Sequence, residues 1–174
     1  MAARGKENAL SSDPVLDGYL LERLGGYLKV GVRVAGAQFR GRVDLLAHAR
    51  LITKGAVYCD IEGPVASAAQ KKKGWAYIRK LARAKDAAIL ISVFPGFMAP
   101  NDEESISRKP SAHSQGQEVA MVSVATKTWQ LTRIMEITRD RQGTVTGLRK
   151  SGHDLMQHHG ELCGLLPRRR VSQL

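Results

Sequence analysis

The sequence predicts an α+β fold: a single domain in which a curved, five-stranded, mostly antiparallel sheet is packed with about four helices. With 174 residues, 43% of them hydrophobic, the chain is long enough for one core and too short for two ordinary domains. Segments that alternate apolar and polar residues, as strands do, lie among segments with helical periodicity. The predicted order is helix, strand, helix, strand, helix, strand, loop, strand, strand, helix, so we expect helices on one side of the sheet.

The chain divides into a domain with a short tail at each end. Residues 1–11 are rich in small and polar residues and are predicted to form a flexible tail. The domain is expected to span residues 12–166, and residues 167–174 form a basic C-terminal tail. Within the domain, residues 95–117 carry three prolines, many serines and an acidic triplet. Because segments of this length without periodicity are usually functional or disordered, we expect a long exposed loop there.

Three elements are predicted before residue 53. Ser12-Asp13-Pro14 provides the capping side chain and the proline typical of a helix start, and Gly25-Gly26 is expected to end that helix. Residues 27–35 alternate valine and leucine with other residues, which predicts a strand. Residues 42–52 place apolar side chains at helical spacing and predict a short helix.

The middle of the chain predicts two strands around a basic helix. Residues 56–62 are rich in β-branched and aromatic side chains, which favours a strand. Gly63-Pro64 then interrupts the chain and precedes a helix that runs to Lys85. The continuous apolar run at 87–94 has the length of a strand that is buried on both faces.

The last part of the domain predicts a hairpin followed by a helix. Residues 118–125 and 128–138 both alternate, and a tight turn at 126–127 would join them as antiparallel strands. Between residues 148 and 166, leucines recur every seven positions, which predicts a closing amphipathic helix.

Charge is the most informative functional feature of this sequence. The formal net charge is +11. Residues 71–85 hold seven cations and no acid, and three arginines at 168–170 bring these two clusters to ten of the eleven net charges. Concentrated positive fields attract phosphate backbones and acidic lipid head groups. The residues predicted to bind a polyanion are Lys71, Lys72, Lys73, Arg79, Lys80, Arg83, Lys85, Arg168, Arg169 and Arg170.

A run of charge is more often the solvated face of an ordinary helix. Such a face usually carries acids that pair with the bases at i,i+4 spacing. The run from Lys71 to Lys85 has none, which favours polyanion contact over the ordinary alternative. The chain has few aromatic residues, 5%, so contact with phosphates or head groups fits better than stacking on bases.

A second candidate surface lies at the start of the predicted loop. Phe94, Phe97 and Met98 stand among prolines and a glycine. One interpretation is that these side chains fold back into the core of the domain. The other is an apolar tip that mediates self-association or enters a bilayer interface.

Catalytic and cofactor signatures are missing from the sequence. It contains no nucleophile elbow, no phosphate-binding P-loop, no zinc-protease motif and no closely spaced cysteine pair. The best metal-ligand candidates, His153, His158, His159 and Cys163, do not supply a full ligand set on one helix face. We therefore expect no enzyme activity, no cofactor and no metal. Nor do we expect a signal peptide or a membrane-spanning segment.

The order of elements resembles rhabdovirus matrix proteins of the plant-infecting, cytorhabdovirus-like type. The resemblance is carried by YLKVGVRV as a strand, FRGRVDLLAHARLI as a helix, VYCDIEGP as a strand, KKGWAYIRKL as a basic helix and GHDLMQHHGELCGLL as a closing helix. It covers most of residues 27–166. Animal-virus members add a lysine-rich amino-terminal arm with a PPxY-type budding motif, and residues 1–14 here hold neither.

This resemblance implies a structural protein that is not an enzyme. The implied partners are further copies of itself in a helical or lattice assembly, the viral nucleoprotein–RNA complex, the anionic membrane surface and an envelope glycoprotein tail. The implied location is the virion beneath the envelope and the host cytoplasm, membranes and nucleus. The alternative is a basic RNA-binding module, such as a duplex-RNA-binding silencing suppressor or a ribosome-associated protein, which would use the same helix against phosphates.

Overall fold

The computed structural model describes residues 14–53, 58–63 and 67–167. The predicted amino-terminal tail and residues 168–174 lie outside this range. The strands are β1 (Ala47–Ile52), β2 (Tyr58–Gly63), β3 (Ile89–Met98), β4 (Gln117–Ala125), β5 (Trp129–Arg139) and β6 (Val145–His158). The helices are α1 (Pro14–Phe39), α2 (Ala68–Ala84) and α3 (Glu103–Ser107), with 3₁₀ turns at Pro110–Ala112 and Glu161–Leu165.

The α+β class is confirmed, with an antiparallel sheet at its centre. In the described part of the chain the sheet has six strands in the order β2-β1-β3-β4-β5-β6, one more than predicted. Every neighbouring pair is antiparallel. Helix α2 connects the edge strand β2 to β3, and β3 to β6 follow one another as neighbours.

Both faces of the sheet are covered, whereas the sequence predicted cover on one side. On the first face, Leu24, Leu28 and Phe39 of α1 share a core with side chains of β3, β4 and β5. On the second face, Ile78 and Ala82 of α2 share a core with β1, β3 and the C-terminal turn. Since a central strand such as β3 contributes alternate residues to both cores, the molecule has three layers.

The prediction of a strand at 27–35 is wrong, because α1 continues through this segment to Phe39. The buried positions of α1 recur at helical spacing, at Leu24, Leu28, Gly31, Ala35 and Phe39. The alternating valines suggested a strand, but the residues that pack against the sheet recur every three or four positions, as they do in a helix. The glycines at 25–26 lower helix propensity without ending the helix.

The predicted helix at 42–52 is also wrong, because Ala47–Ile52 forms β1 between β2 and β3. Five of its six residues are buried. A strand that is buried on both faces shows no alternation of polar and apolar residues, so its sequence looks like that of a buried helix.

The other elements of the middle region agree with the predictions. The predicted strand at 56–62 is β2, the basic helix is α2, and the apolar run at 87–94 begins β3. The expected hairpin of two alternating strands is the β4–β5 pair, which runs from Val119 opposite Glu136 to Ala125 opposite Gln130.

The segment 95–117 is not one long loop. Residues 95–98 continue β3, pairing with β4 as far as Met98 opposite Gln117. Beyond Val93, β3 no longer pairs with β1, and a strand with one neighbour tolerates Pro95. The rest is held by buried His113, whose Nε2 lies 2.9 Å from an Asp102 carboxylate oxygen and whose Nδ1 accepts from the Gln115 N–H.

The predicted closing helix at 148–166 is wrong. Residues 145–158 form β6, and Glu161–Leu165 forms a 3₁₀ turn. Gly152 adopts a φ of +67°, which glycine tolerates best, at an irregularity in the β5–β6 pairing. The repeat of leucines every seven residues therefore did not indicate a helix.

Candidate polyanion-binding surface

Helix α2 is placed by its apolar side on the second face of the sheet. Ser67 caps it, its hydroxyl accepting from the Gln70 N–H at 3.2 Å. Ile78 and Ala82 are buried in the core. The half-buried ring of Trp75 lies 4.9 Å from the ring of Phe94 on β3. One side of the helix is thereby fixed against the sheet, and the opposite side faces solvent.

The solvent-facing side carries two rows of cations. Lys72, Arg79 and Arg83 follow i, i+7 and i+11 spacing, which keeps them on one line along a helix. Lys73 and Lys80 form a second line beside the first at i, i+7 spacing. All five are exposed. We call these five residues the cationic surface; at about 1.5 Å per residue it extends about 16 Å along the helix axis.

No carboxylate neutralises the cationic surface among the residues that the structure describes. The one ion pair found for an α2 cation there joins Lys71 to Glu161 at 3.9 Å, between side chains that are 46% and 71% exposed. Exposed pairs of this kind contribute little. The first turn of α2 also lacks the acids that normally complement a helix N-terminus. The positive field therefore remains available to a partner.

The remaining predicted cations stand apart from this surface. Lys71 lies on the side of α2 that faces the sheet, and Lys85 forms the C-cap of the helix, its N–H donating to the Leu81 carbonyl. Arg168, Arg169 and Arg170 lie outside the described residues. Leu166, two residues before them, is buried in the same core as Ile78 and Ala82.

The predicted apolar residues do not form a loop tip. Phe94 is half-buried on β3 against Trp75, which agrees with the interpretation that it belongs to the core. Phe97 and Met98 end β3 and are 49% and 42% exposed. The structure therefore separates the first residue of this predicted surface from the other two.

Sequence reasoning missed a row of hydroxyl groups on the second face of the sheet. Ser92, Ser123 and Thr132 are direct neighbours across β3, β4 and β5. We call them the hydroxyl row. Their signal in the sequence was one hydroxyl residue in each of three strand segments, a pattern that shows a common site only once the register is known.

The histidines considered as metal ligands are not brought together with the cysteine. The ring of His158 lies 4.7 Å from Trp129 and 4.1 Å from His159. Cys163 is a free, buried thiol, and burial raises its pKa. Among the described residues, no group of three His, Cys, Asp or Glu side chains is placed to hold a metal ion.

Comparisons add no relative to this description. No helix in the described part of the chain is both long and apolar enough to cross a bilayer. The chain matches no protein-family model, no curated protein and no solved structure.

Proposed function

We propose that this protein is a structural protein of the viral matrix type, without enzyme activity, that binds anionic assemblies through the outer face of α2. The observation that carries the proposal is the cationic surface: five exposed cations on one side of a fixed helix, with no carboxylate partner among the described residues. Its partners in this proposal are a nucleoprotein–RNA complex and the anionic face of a membrane. Many weak contacts of this kind become firm when copies assemble side by side.

The proposal depends on charge and not on the order of elements. Three of the segments that carried the resemblance to rhabdovirus matrix proteins have a different secondary structure: 27–35 is helical, 47–52 is a strand, and 148–158 is a strand. The basic helix KKGWAYIRKL is retained as part of α2. The proposed binding requires only that this helix is present and that its cations are exposed.

Charge reversal on one row of the cationic surface tests the proposal. We expect the triple variant Lys72→Glu, Arg79→Glu, Arg83→Glu to lose about 100-fold or more in affinity for phosphatidylserine-containing vesicles at 0.15 M salt. The reason is that each cation near an anionic surface contributes about 1 kcal/mol, and a tenfold change in affinity is about 1.4 kcal/mol. Vesicle co-flotation, with circular dichroism to verify folding, provides the measurement.

The matched control has the same change in net charge at other exposed positions. Arg42→Glu, Lys109→Glu, Arg141→Glu places three acids away from α2, on residues that are all exposed. We expect this control to bind vesicles within about threefold of the natural protein, because fields at the surface are screened beyond about 8 Å at 0.15 M salt. Equal losses in the two triple variants would show that total charge matters and its location does not.

A duplex RNA is the second candidate partner, and the straightness of the two rows favours it. Cations in line on one rigid helix can contact successive phosphates of one backbone. A filter-binding titration with duplex RNA at several salt concentrations separates the two functions. If the protein binds duplex RNA tightly and stoichiometrically but binds vesicles weakly, the RNA-binding function would replace the membrane-linking one.

A further inference from the structure

A groove lies on the second face of the sheet, between α2, β6 and the C-terminal turn. Its volume is about 400 Å³, within the range of small-molecule sites. The hydroxyl row forms part of its floor, and Trp75, Phe94, Met121, Leu155 and Leu162 contribute apolar walls. Lys71 and Glu161 stand at its rim, both exposed.

Part of the polar floor is satisfied within the protein. The Ser123 and Thr132 hydroxyls are 2.7 Å apart, and the Gln130 side-chain amide donates to the Thr132 hydroxyl at 3.2 Å. The side-chain oxygen Oε1 of Gln130 accepts from the Leu162 N–H at 3.0 Å. Buried polar groups in native proteins normally find such partners.

Two hydrogen-bond donors that line the groove have no partner within the described part of the protein. The Ser92 hydroxyl and the Trp75 indole N–H are buried, and neither atom makes a hydrogen bond to the protein. Ser92 is 0% exposed and lines the groove. Leaving a buried donor without a partner costs free energy, and indole can act only as a donor. Because both residues line the groove, an acceptor oxygen bound there could satisfy both donors.

Lys71 is the cation at this end of the groove. Lys71 precedes Trp75 by one helical turn, so the two side chains are neighbours on the same side of α2. The Glu161 carboxylate, 3.9 Å from the Lys71 ammonium, is 71% exposed and makes a weak competitor. The opposite side of the groove, at Met121 and Leu155, is apolar and 38% and 49% exposed.

From this arrangement we propose that the groove binds a small amphiphile with an apolar body and a carboxylate. The carboxylate accepts from the Ser92 hydroxyl and the Trp75 N–H beside the Lys71 ammonium, and the body covers Met121 and Leu155. The site is distinct from the cationic surface, since Lys71 and Trp75 lie on the side of α2 that faces the sheet and Ser92 lies on β3.

Titration of the ¹⁵N-labelled full chain with decanoate, below its micelle concentration, tests this proposal. We expect the Trp75 indole N–H resonance to move downfield in a saturable manner as it gains an acceptor, while the Trp129 indole resonance moves less. Trp75→Phe assigns the two signals. Absence of a saturable shift would mean that these donors are merely hydrated, and would overturn the proposal.

Two comparisons define the ligand class. Ser92→Ala is expected to weaken decanoate binding about tenfold or more, because a hydrogen bond to a charged group is lost. The spectrum of this variant should otherwise remain that of a folded protein. Decan-1-ol should bind at least tenfold more weakly than decanoate, since it lacks the charge. Equal binding of the two ligands, or an unchanged affinity in Ser92→Ala, would contradict the carboxylate site.

The outcome is independent of the proposed function. Ser92→Ala changes no charge and lies away from the cationic surface, so we expect vesicle flotation of this variant to match the natural protein. Loss of decanoate binding with retained flotation supports a separate groove site, and loss of both in a folded variant would overturn that separation.

Discussion

Gly31 is the residue at which α1 comes closest to the sheet. A β-carbon built there would lie 2.8 Å from Val122 Cγ1 and 2.9 Å from Ile91 Cγ2. Real β-carbons do not approach neighbouring atoms so closely, and both of those methyl groups belong to stiff, β-branched side chains. The glycine is therefore explained by packing, although it lies inside a helix, where glycine is unfavourable.

We expect Gly31→Ala to destabilise the protein by about 1–3 kcal/mol, the usual cost of overpacking a filled core. Urea unfolding followed by circular dichroism would measure the loss. Gly36→Ala is the matched control, because nothing lies within 4 Å of a β-carbon at that position of the same helix. It should raise the free energy of unfolding by about 0.5–1 kcal/mol through helix propensity. The same sign in both variants would refute the packing argument.

Single residues also show how far sequence reasoning reached within the site. The cations of α2 were identified because charge does not depend on the fold. Ser92 and Trp75 were not linked, since nothing in the sequence indicates that α2 and β3 meet where these two residues line one groove. Buried polar atoms become informative only when their partners, or the lack of partners, can be seen.

At the scale of elements, strand β6 replaces most of the predicted C-terminal helix and forms the β5–β6 pair. Its register shifts between Thr132 and Ile134. At this irregularity Arg133 binds Asp154 through two hydrogen bonds of 2.8 and 2.6 Å. The hydrogen bond from Arg133 is the main reason that the pKa of Asp154 lies below its usual range, with the charge of Arg133 and Lys150 acting in the same direction. This ion pair joins the two strands where their regular ladder is interrupted.

We expect Asp154→Asn to reduce the free energy of unfolding at pH 7 by about 1–2 kcal/mol, the contribution of a hydrogen-bonded, partly buried charge. Because the folded-state pKa of Asp154 is lowered, its contribution is present above the unfolded-state pKa of about 4 and is lost as pH falls through the folded-state pKa. The difference between natural and variant protein should therefore become smaller in acid. Urea unfolding at pH 7 and at pH 2.5 would measure it.

Glu103→Gln is the control for this pH dependence. Glu103 is exposed at the start of α3, and its replacement should change stability by less than about 0.5 kcal/mol, as surface substitutions usually do. If Asp154→Asn lost the same stability at both pH values, side-chain packing and not the ion pair would hold the strands together at the irregularity.

At the scale of the whole molecule, charged and apolar surfaces lie on different elements. The cationic surface occupies the outer side of α2, whereas the exposed apolar side chains of Phe97 and Met98 end β3. A molecule that binds an anionic surface by one element and a neighbouring copy by another can build an open array, as contacts between unlike surfaces do when they do not close into rings.

We expect Phe97→Ser, Met98→Ser to reduce self-association without weakening the binding of a single copy to dilute anionic vesicles. The physical reason is the loss of apolar area that a neighbour would bury. Sedimentation velocity over a concentration series would show the change, with an association constant at least about tenfold lower. If the variant and the natural protein had the same association constant, the end of β3 would not be part of a contact between copies.

The matched control removes apolar surface elsewhere. Val30→Ser, Val43→Ser changes two residues that are 42% and 57% exposed and that lie on and just after α1. This variant should associate like the natural protein. A similar loss in both variants would indicate general solubility and not a specific contact.

The sequence by itself determined the fold class, the basic helix, the hairpin of β4 and β5 and the location of most of the positive charge. These follow from composition and from short-range periodicity, which a chain carries whatever its tertiary contacts are. Tertiary structure alone decided that residues 27–35 are helical and that β1 and β6 are strands. Burial on both faces hides alternation in β1, and contacts with distant residues override local propensity in the other two segments. It also decided which side of α2 faces solvent, and it assembled the hydroxyl row from three strands whose register no local pattern specifies.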